Sequence, residues 1–89
     1  VVAFTDEAIE DLETIRNQIA LDYPQRANRI ANEIVAKCKI LDLHPLIGRL
    51  GMEPGTRELS TAKPWVIVYE VVGGSCTVLR LWHSSQSRR

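Results

Sequence analysis

Four side chains in the C-terminal half could handle an anion or a proton: Arg57, Tyr69, Arg80 and His83. An arginine forks several N–H groups toward a phosphate or carboxylate, and a histidine exchanges a proton near neutral pH. RNA cleavage through the 2′-hydroxyl needs that chemistry: a proton acceptor, a proton donor and a cation for the developing charge. His83 could carry one proton and Arg80 the charge. A tyrosine, with an ordinary pKa of about 10, is a poor second proton carrier. No Ser-His-Asp set, Gly-rich phosphate loop or paired-carboxylate motif stands in the sequence.

Strands must position these groups. Trp65 to Val72 is almost wholly β-branched and aromatic, Gly73-Gly74 suits a tight hairpin, and Cys76 to His83 is its partner. Alternation with period two predicts Leu79 and Leu81 facing the core, with Val78, Arg80 and Trp82 on the opposite face. On the preceding strand Val66 and Val68 share one face, and Trp65, Ile67 and Tyr69 the other. Arg80 and Tyr69 are thus expected on the face away from any helices, with Arg57 in reach from a short strand, Arg57 to Leu59. Arg80 either pairs with Glu58 or Glu70 or awaits an external anion. His83 is either a proton carrier or a strand-end residue bonded to backbone.

Two helices precede the strands. Thr5 is a suitable N-cap, and Asp6, Glu7, Glu10 and Asp11 favour the positive end of a helix dipole. Those acids read most simply as a solvated, stabilising face. Ala8, Leu12, Ile15 and Ile19 form an apolar stripe with Ile9 beside it. Asp22-Tyr23-Pro24 breaks the pattern, and proline is well suited to open the next helix. Ala27, Ile30, Ala31, Ile34, Cys38 and Leu41 trace its stripe, which His44-Pro45 ends. The short connection predicts an antiparallel helical hairpin. Val1 to Phe4 reads as a first strand, Gly48, Gly51, Pro54 and Gly55 mark a loop of roughly a dozen residues, and Ser84 to Arg89 reads as a polar tail. The expected fold is α+β, ordered β-α-α-β-β-β. An antiparallel sheet is packed on one face by the hairpin, in a single domain, residues 1–89.

Composition suits one small globular domain: 89 residues, 45% hydrophobic and 25% charged. The net charge of zero covers an asymmetry, −3 over residues 1–42 and +3 over residues 43–89. That is either an acidic helical surface beside a mildly basic sheet or a C-terminal half that meets something acidic. A broad basic field for non-specific nucleic-acid binding is absent. Cys38 and Cys76 read as reduced, buried thiols, with no metal-ligand spacing to His44 or His83. No metal or cofactor is implied. With no apolar run long enough to span a bilayer, a soluble cytoplasmic protein is expected.

The landmarks Gly55-Thr56-Arg57-Glu58-Leu59, Val66-Ile67-Val68-Tyr69 and Leu79-Arg80-Leu81-Trp82-His83-Ser84-Ser85-Gln86, with Pro45 and Gly48-Arg49, resemble the ParE/RelE family of bacterial toxins. The ParE branch, often labelled plasmid-stabilisation proteins, is the nearer resemblance, and it covers almost the whole chain. It implies the toxin of a type II toxin–antitoxin pair. A ParD-like or similar antitoxin would neutralise it in a hetero-oligomer, with Leu12, Ile15, Ile19, Ile30 and Ile34 as contacts. ParE-like members imply DNA gyrase as target, and Arg80, Trp82, His83, Gln86, Arg88 and Arg89 as its contacts. RelE-like members imply ribosome-dependent mRNA cleavage, for which Arg57, Tyr69, Arg80 and His83 are the candidates and direct RNA binding follows. Many ribonuclease members carry an arginine near the start of the strand that here begins Trp65-Val66, and this chain does not.

Overall fold

Thr5 opens the first helix through both lone-pair and hydroxyl chemistry. Its Oγ1 accepts the Ala8 N–H at 3.1 Å and donates to the Leu79 carbonyl at 2.8 Å. The computed structural model describes residues 2–84. Its elements are β1 (Val2–Phe4), α1 (Asp6–Asp22), α2 (Pro24–Leu43), β2 (Arg49–Leu50), β3 (Thr56–Ser60), β4 (Trp65–Val72) and β5 (Ser75–His83). The strands form one sheet in the order β1-β5-β4-β3-β2. Pro24 begins α2, where its missing N–H costs nothing.

The expected α+β arrangement of a helical hairpin on one sheet is present, with two additions. Strands β2 to β5 are antiparallel, as hairpin connections require, but β1 runs parallel to β5. The sheet is therefore mixed: β1 leads straight into a helix, so no hairpin sets its direction. The other addition is β2, inside the segment read as loop, where Arg49 and Leu50 pair with Glu58 and Arg57. Two residues are too few to leave a periodic signal.

A β-bulge reassigns the faces of β5. Arg80 stands opposite Val68, yet Tyr69 pairs with Val78, so Leu79 is the extra residue. One inserted residue reverses every later side chain relative to simple alternation. Val78 and Leu81, three apart, therefore share the core with Ile67, Tyr69 and Cys76, while Leu79 is only half-buried. The expected faces for Val78 and for Tyr69 are corrected accordingly.

From the helices, Ala8 and Ile15 of α1 and Ile34, Cys38 and Leu41 of α2 complete this core. Ala27 is buried too, a small side chain that lets the helices approach. No helix among the described residues is long and apolar enough to cross a membrane.

Both cysteines are free and buried. Burial pushes the Cys38 thiol up from 9.0 to about 12, and burial first, then the Asp42 charge, raises Cys76 as well. A thiol that holds its proton more tightly in the folded state stabilises that state less as pH rises through the unfolded value. Stability is therefore expected to fall from about pH 9 toward about pH 12. Urea midpoints across that window test this, and Cys38→Val should flatten the fall. An equal slope in the variant would rule out Cys38 as the cause.

Candidate functional site

The site begins where β1 stops. Its pairing with β5 ends at Phe4 opposite Val78, and the Thr5 N–H extends it by one bond to the Val78 carbonyl at 3.0 Å. Beyond that point α1, not a strand, flanks β5. The Thr5 hydroxyl takes the Leu79 carbonyl, and the Asp11 carboxylate takes the Leu81 N–H at 3.0 Å. The same carboxylate holds Arg80 through Nε at 2.7 Å and Nη2 at 3.1 Å. These bonds raise the already high pKa of Arg80, against the opposing effect of burial, and the charges of Asp11, Glu7 and Glu10 add to the rise.

Aromatic rings border this pair. The Arg80 guanidinium lies 5.7 Å from the centre of the Trp82 ring. His83 meets Trp65 edge to face, with centroids 5.4 Å apart. With Thr14 and Gln18 of α1 these residues line a cleft of about 430 Å³. Sequence reasoning placed Arg80, Trp82 and His83 together, and they are together. It missed Asp11, whose place in the first turns of a helix had a sufficient explanation in the dipole. The remaining target-contact candidates, Gln86, Arg88 and Arg89, lie outside the described residues.

Arg57 and Tyr69 do not join the cleft. They pair with each other across β3 and β4, on the core side of the sheet. Tyr69 is fully buried; its hydroxyl donates to the Pro45 carbonyl at 2.8 Å and accepts the Gly48 N–H at 2.9 Å. Arg57 Nη1 donates to the Gly48 carbonyl at 2.8 Å. Both side chains thus pin the segment from Pro45 to Gly48. The expected partners of Arg80 are corrected as well: it pairs with Asp11, while the buried Glu58 pairs with Arg49 at 2.8 Å.

The pinned segment and the residues on either side of it carry an apolar ledge. Leu43, Leu46, Ile47, Leu50 and Met52 are between 52% and 78% exposed. A groove of about 470 Å³ lies along His44, Pro45, Leu46 and Ile47. Five large apolar side chains exposed within ten positions exceed the scatter normal on a monomer surface. The helical set read as partner contacts is different in kind. Ile15 and Ile34 are core residues, while Leu12, Ile19 and Ile30 are half-buried against that core. An amphipathic stripe marks the face a helix hides, and here the hairpin and sheet bury Ile15 and Ile34 while Leu12, Ile19 and Ile30 keep part of their surface.

Residues 2–88 match the family model of the ParE toxin of type II toxin–antitoxin systems, parDE. The chain belongs to the ParE toxin family. It is 33% identical over 85 residues to Toxin RelE2 of Caulobacter vibrioides, covering 96% of each chain. Among solved structures it is similar to the chromosomal ParDE toxin–antitoxin system of P. aeruginosa, with TM-score 0.83 and 26% identity over 92% of each chain. The RelBE2 toxin–antitoxin complex of Mycobacterium tuberculosis shares the fold at TM-score 0.60 and 20% identity, over 93% of this chain and 95% of that one. In this ParE-family toxin, then, the cleft beside β5 is built around a cation that the protein has already neutralised.

Proposed function

We propose that residues 1–89 act as a single toxin domain that arrests growth by poisoning DNA gyrase. A cognate antitoxin neutralises it by direct binding. The observation that carries the target reading is the Asp11–Arg80 pair. Among the described residues lining the cleft, Arg80 is the one arginine or lysine, and a carboxylate holds it through two charge-assisted bonds. Glu7 and Glu10 add negative potential at the same place. Such a site repels a phosphate. A protein surface, by contrast, can be recognised by shape, by the Trp82 ring and by the outer edge of Arg80. Gyrase is a cytoplasmic enzyme, so this reading requires a cytoplasmic toxin.

The antitoxin reading rests on the apolar ledge and on the likeness to the P. aeruginosa ParDE system. Leu43, Leu46 and Ile47 are its contacts, and the half-buried Leu12, Ile19 and Ile30 of the helices are further contacts. An amphipathic antitoxin segment would cover them. Messenger-RNA cleavage is the second reading. It has in its favour that His83 and Arg80 line one cleft.

Expression without antitoxin separates the two. Growth arrest should come with DNA breaks and a DNA-damage response, while messenger RNA stays whole. His83→Ala should keep most of the toxicity, and Arg80→Ala should lower it roughly tenfold or more. Codon-phased cuts in messenger RNA, abolished by His83→Ala, would overturn the gyrase reading in favour of the ribonuclease.

A further inference from the structure

We infer that Asp11 is a positioning residue: it fixes the Arg80 guanidinium in the orientation that the target meets. The inference rests on the reading of the cleft as a contact surface for gyrase and adds the residue that sets its geometry.

Three donors converge on one carboxylate. Arg80 Nε and Leu81 N share Oδ2 at 2.7 and 3.0 Å, and Arg80 Nη2 takes Oδ1 at 3.1 Å. The bond to Leu81 anchors the carboxylate itself, because a backbone N–H in a strand cannot swing. Asp11 in turn sits on α1, whose start is tied to the same strand by Thr5. The guanidinium is thus referred to the sheet backbone through a single short side chain. Trp82, two residues along the strand, lies under it. A long side chain that would otherwise sample many rotamers is ordered before any partner arrives, which removes part of the cost of binding.

The arrangement also explains why the cation is an arginine. A guanidinium can give Nε and one Nη to a carboxylate in a planar fork and still present its remaining edge and its flat face. A lysine ammonium in the same place would satisfy the charge of Asp11 but define no plane. Charge is the lesser part of this contact, because Asp11 cancels it. Orientation is what the pair supplies.

Asp11→Asn is the direct test. The amide oxygen can still accept from Leu81, so the strand edge stays capped, but the two-oxygen fork to Arg80 is lost. The variant is expected to melt within a few degrees of the wild type and to bind antitoxin equally well. It should trap gyrase on DNA about tenfold less efficiently in a cleavage assay. The Arg80 Nε–H proton, shielded by Asp11 in the wild type, should exchange with water much faster in the NMR spectrum. Arg80→Lys leaves Asp11 free to cap Leu81 and keeps the charge; it should lose activity to a similar degree.

Two failures are distinguishable. Wild-type protein that arrests growth without trapping gyrase removes the gyrase reading, and growth arrest then replaces trapping as the activity compared. Asp11→Asn or Arg80→Lys with wild-type activity would overturn the positioning role while leaving the gyrase reading in place. The positioning role also falls if Asp11→Asn loses activity only in proportion to a drop in melting temperature and the Arg80 proton stays protected.

Discussion

Ile34→Ala is expected to lower the unfolding free energy by about 2–5 kcal/mol, measured by urea denaturation. Ile34 is fully buried at the centre of the core that joins α1, α2 and the sheet. Removing three carbons there loses their transfer free energy and leaves a cavity that packed neighbours cannot close. A domain of this size holds a total stability of roughly 5–15 kcal/mol, so the variant stands near the edge of folding. Leu46→Ser is the contrast. Leu46 is 64% exposed, and a polar replacement there should change stability by no more than about 0.5 kcal/mol. Antitoxin binding should fall for Leu46→Ser despite the intact fold. A loss below about 1 kcal/mol for Ile34→Ala would return Ile34 to the contact surface and sink its assignment to the core.

The helices were legible because their signals are local and redundant. Thr5, Pro24 and His44-Pro45 mark the boundaries, and the apolar stripes fill them. Strand β4 and the Gly73-Gly74 turn were legible from residue type alone, both glycines taking positive φ. The bulge at Leu79 was not, because one inserted residue changes no composition, yet it decides which side chains reach the core. That single irregularity removed Tyr69 from the candidate site.

Asp11 was hidden for a different reason. Its partner Arg80 lies 69 positions away, and an acid in the first turns of a helix already had a local explanation. Residue type was also misleading at Arg57 and Tyr69, which carry the chemistry of a ribonuclease and serve as loop fasteners. The family resemblance survives these corrections because it rests on landmarks spread along the chain.

Gly48→Ala is expected to destabilise the fold by about 1–3 kcal/mol and to displace the apolar ledge. A Cβ on Gly48 would stand 2.7 Å from the Glu58 carbonyl oxygen, 2.8 Å from the Tyr69 hydroxyl and 2.9 Å from Tyr69 Cε1. Neither neighbour can yield cheaply. The carbonyl belongs to β3, and the ring is fully buried in the core. The segment must therefore move, and it takes with it the Gly48 N–H bond to Tyr69. Tyr69→Phe probes the same fastening from below. It leaves the Gly48 N–H and the Pro45 carbonyl without their partner, at a cost of about 1–3 kcal/mol. Removing the hydroxyl also removes one of the clashes, so the double variant should lose less than the two single losses together, by about 0.5 kcal/mol or more. Urea midpoints for the four proteins measure this coupling. Both single variants should also weaken antitoxin binding, because Leu46 and Ile47 ride on the displaced segment. Strict additivity, or a Gly48→Ala protein as stable as the wild type, would mean that the segment is not pinned by Tyr69 and that the ledge owes its form to something else.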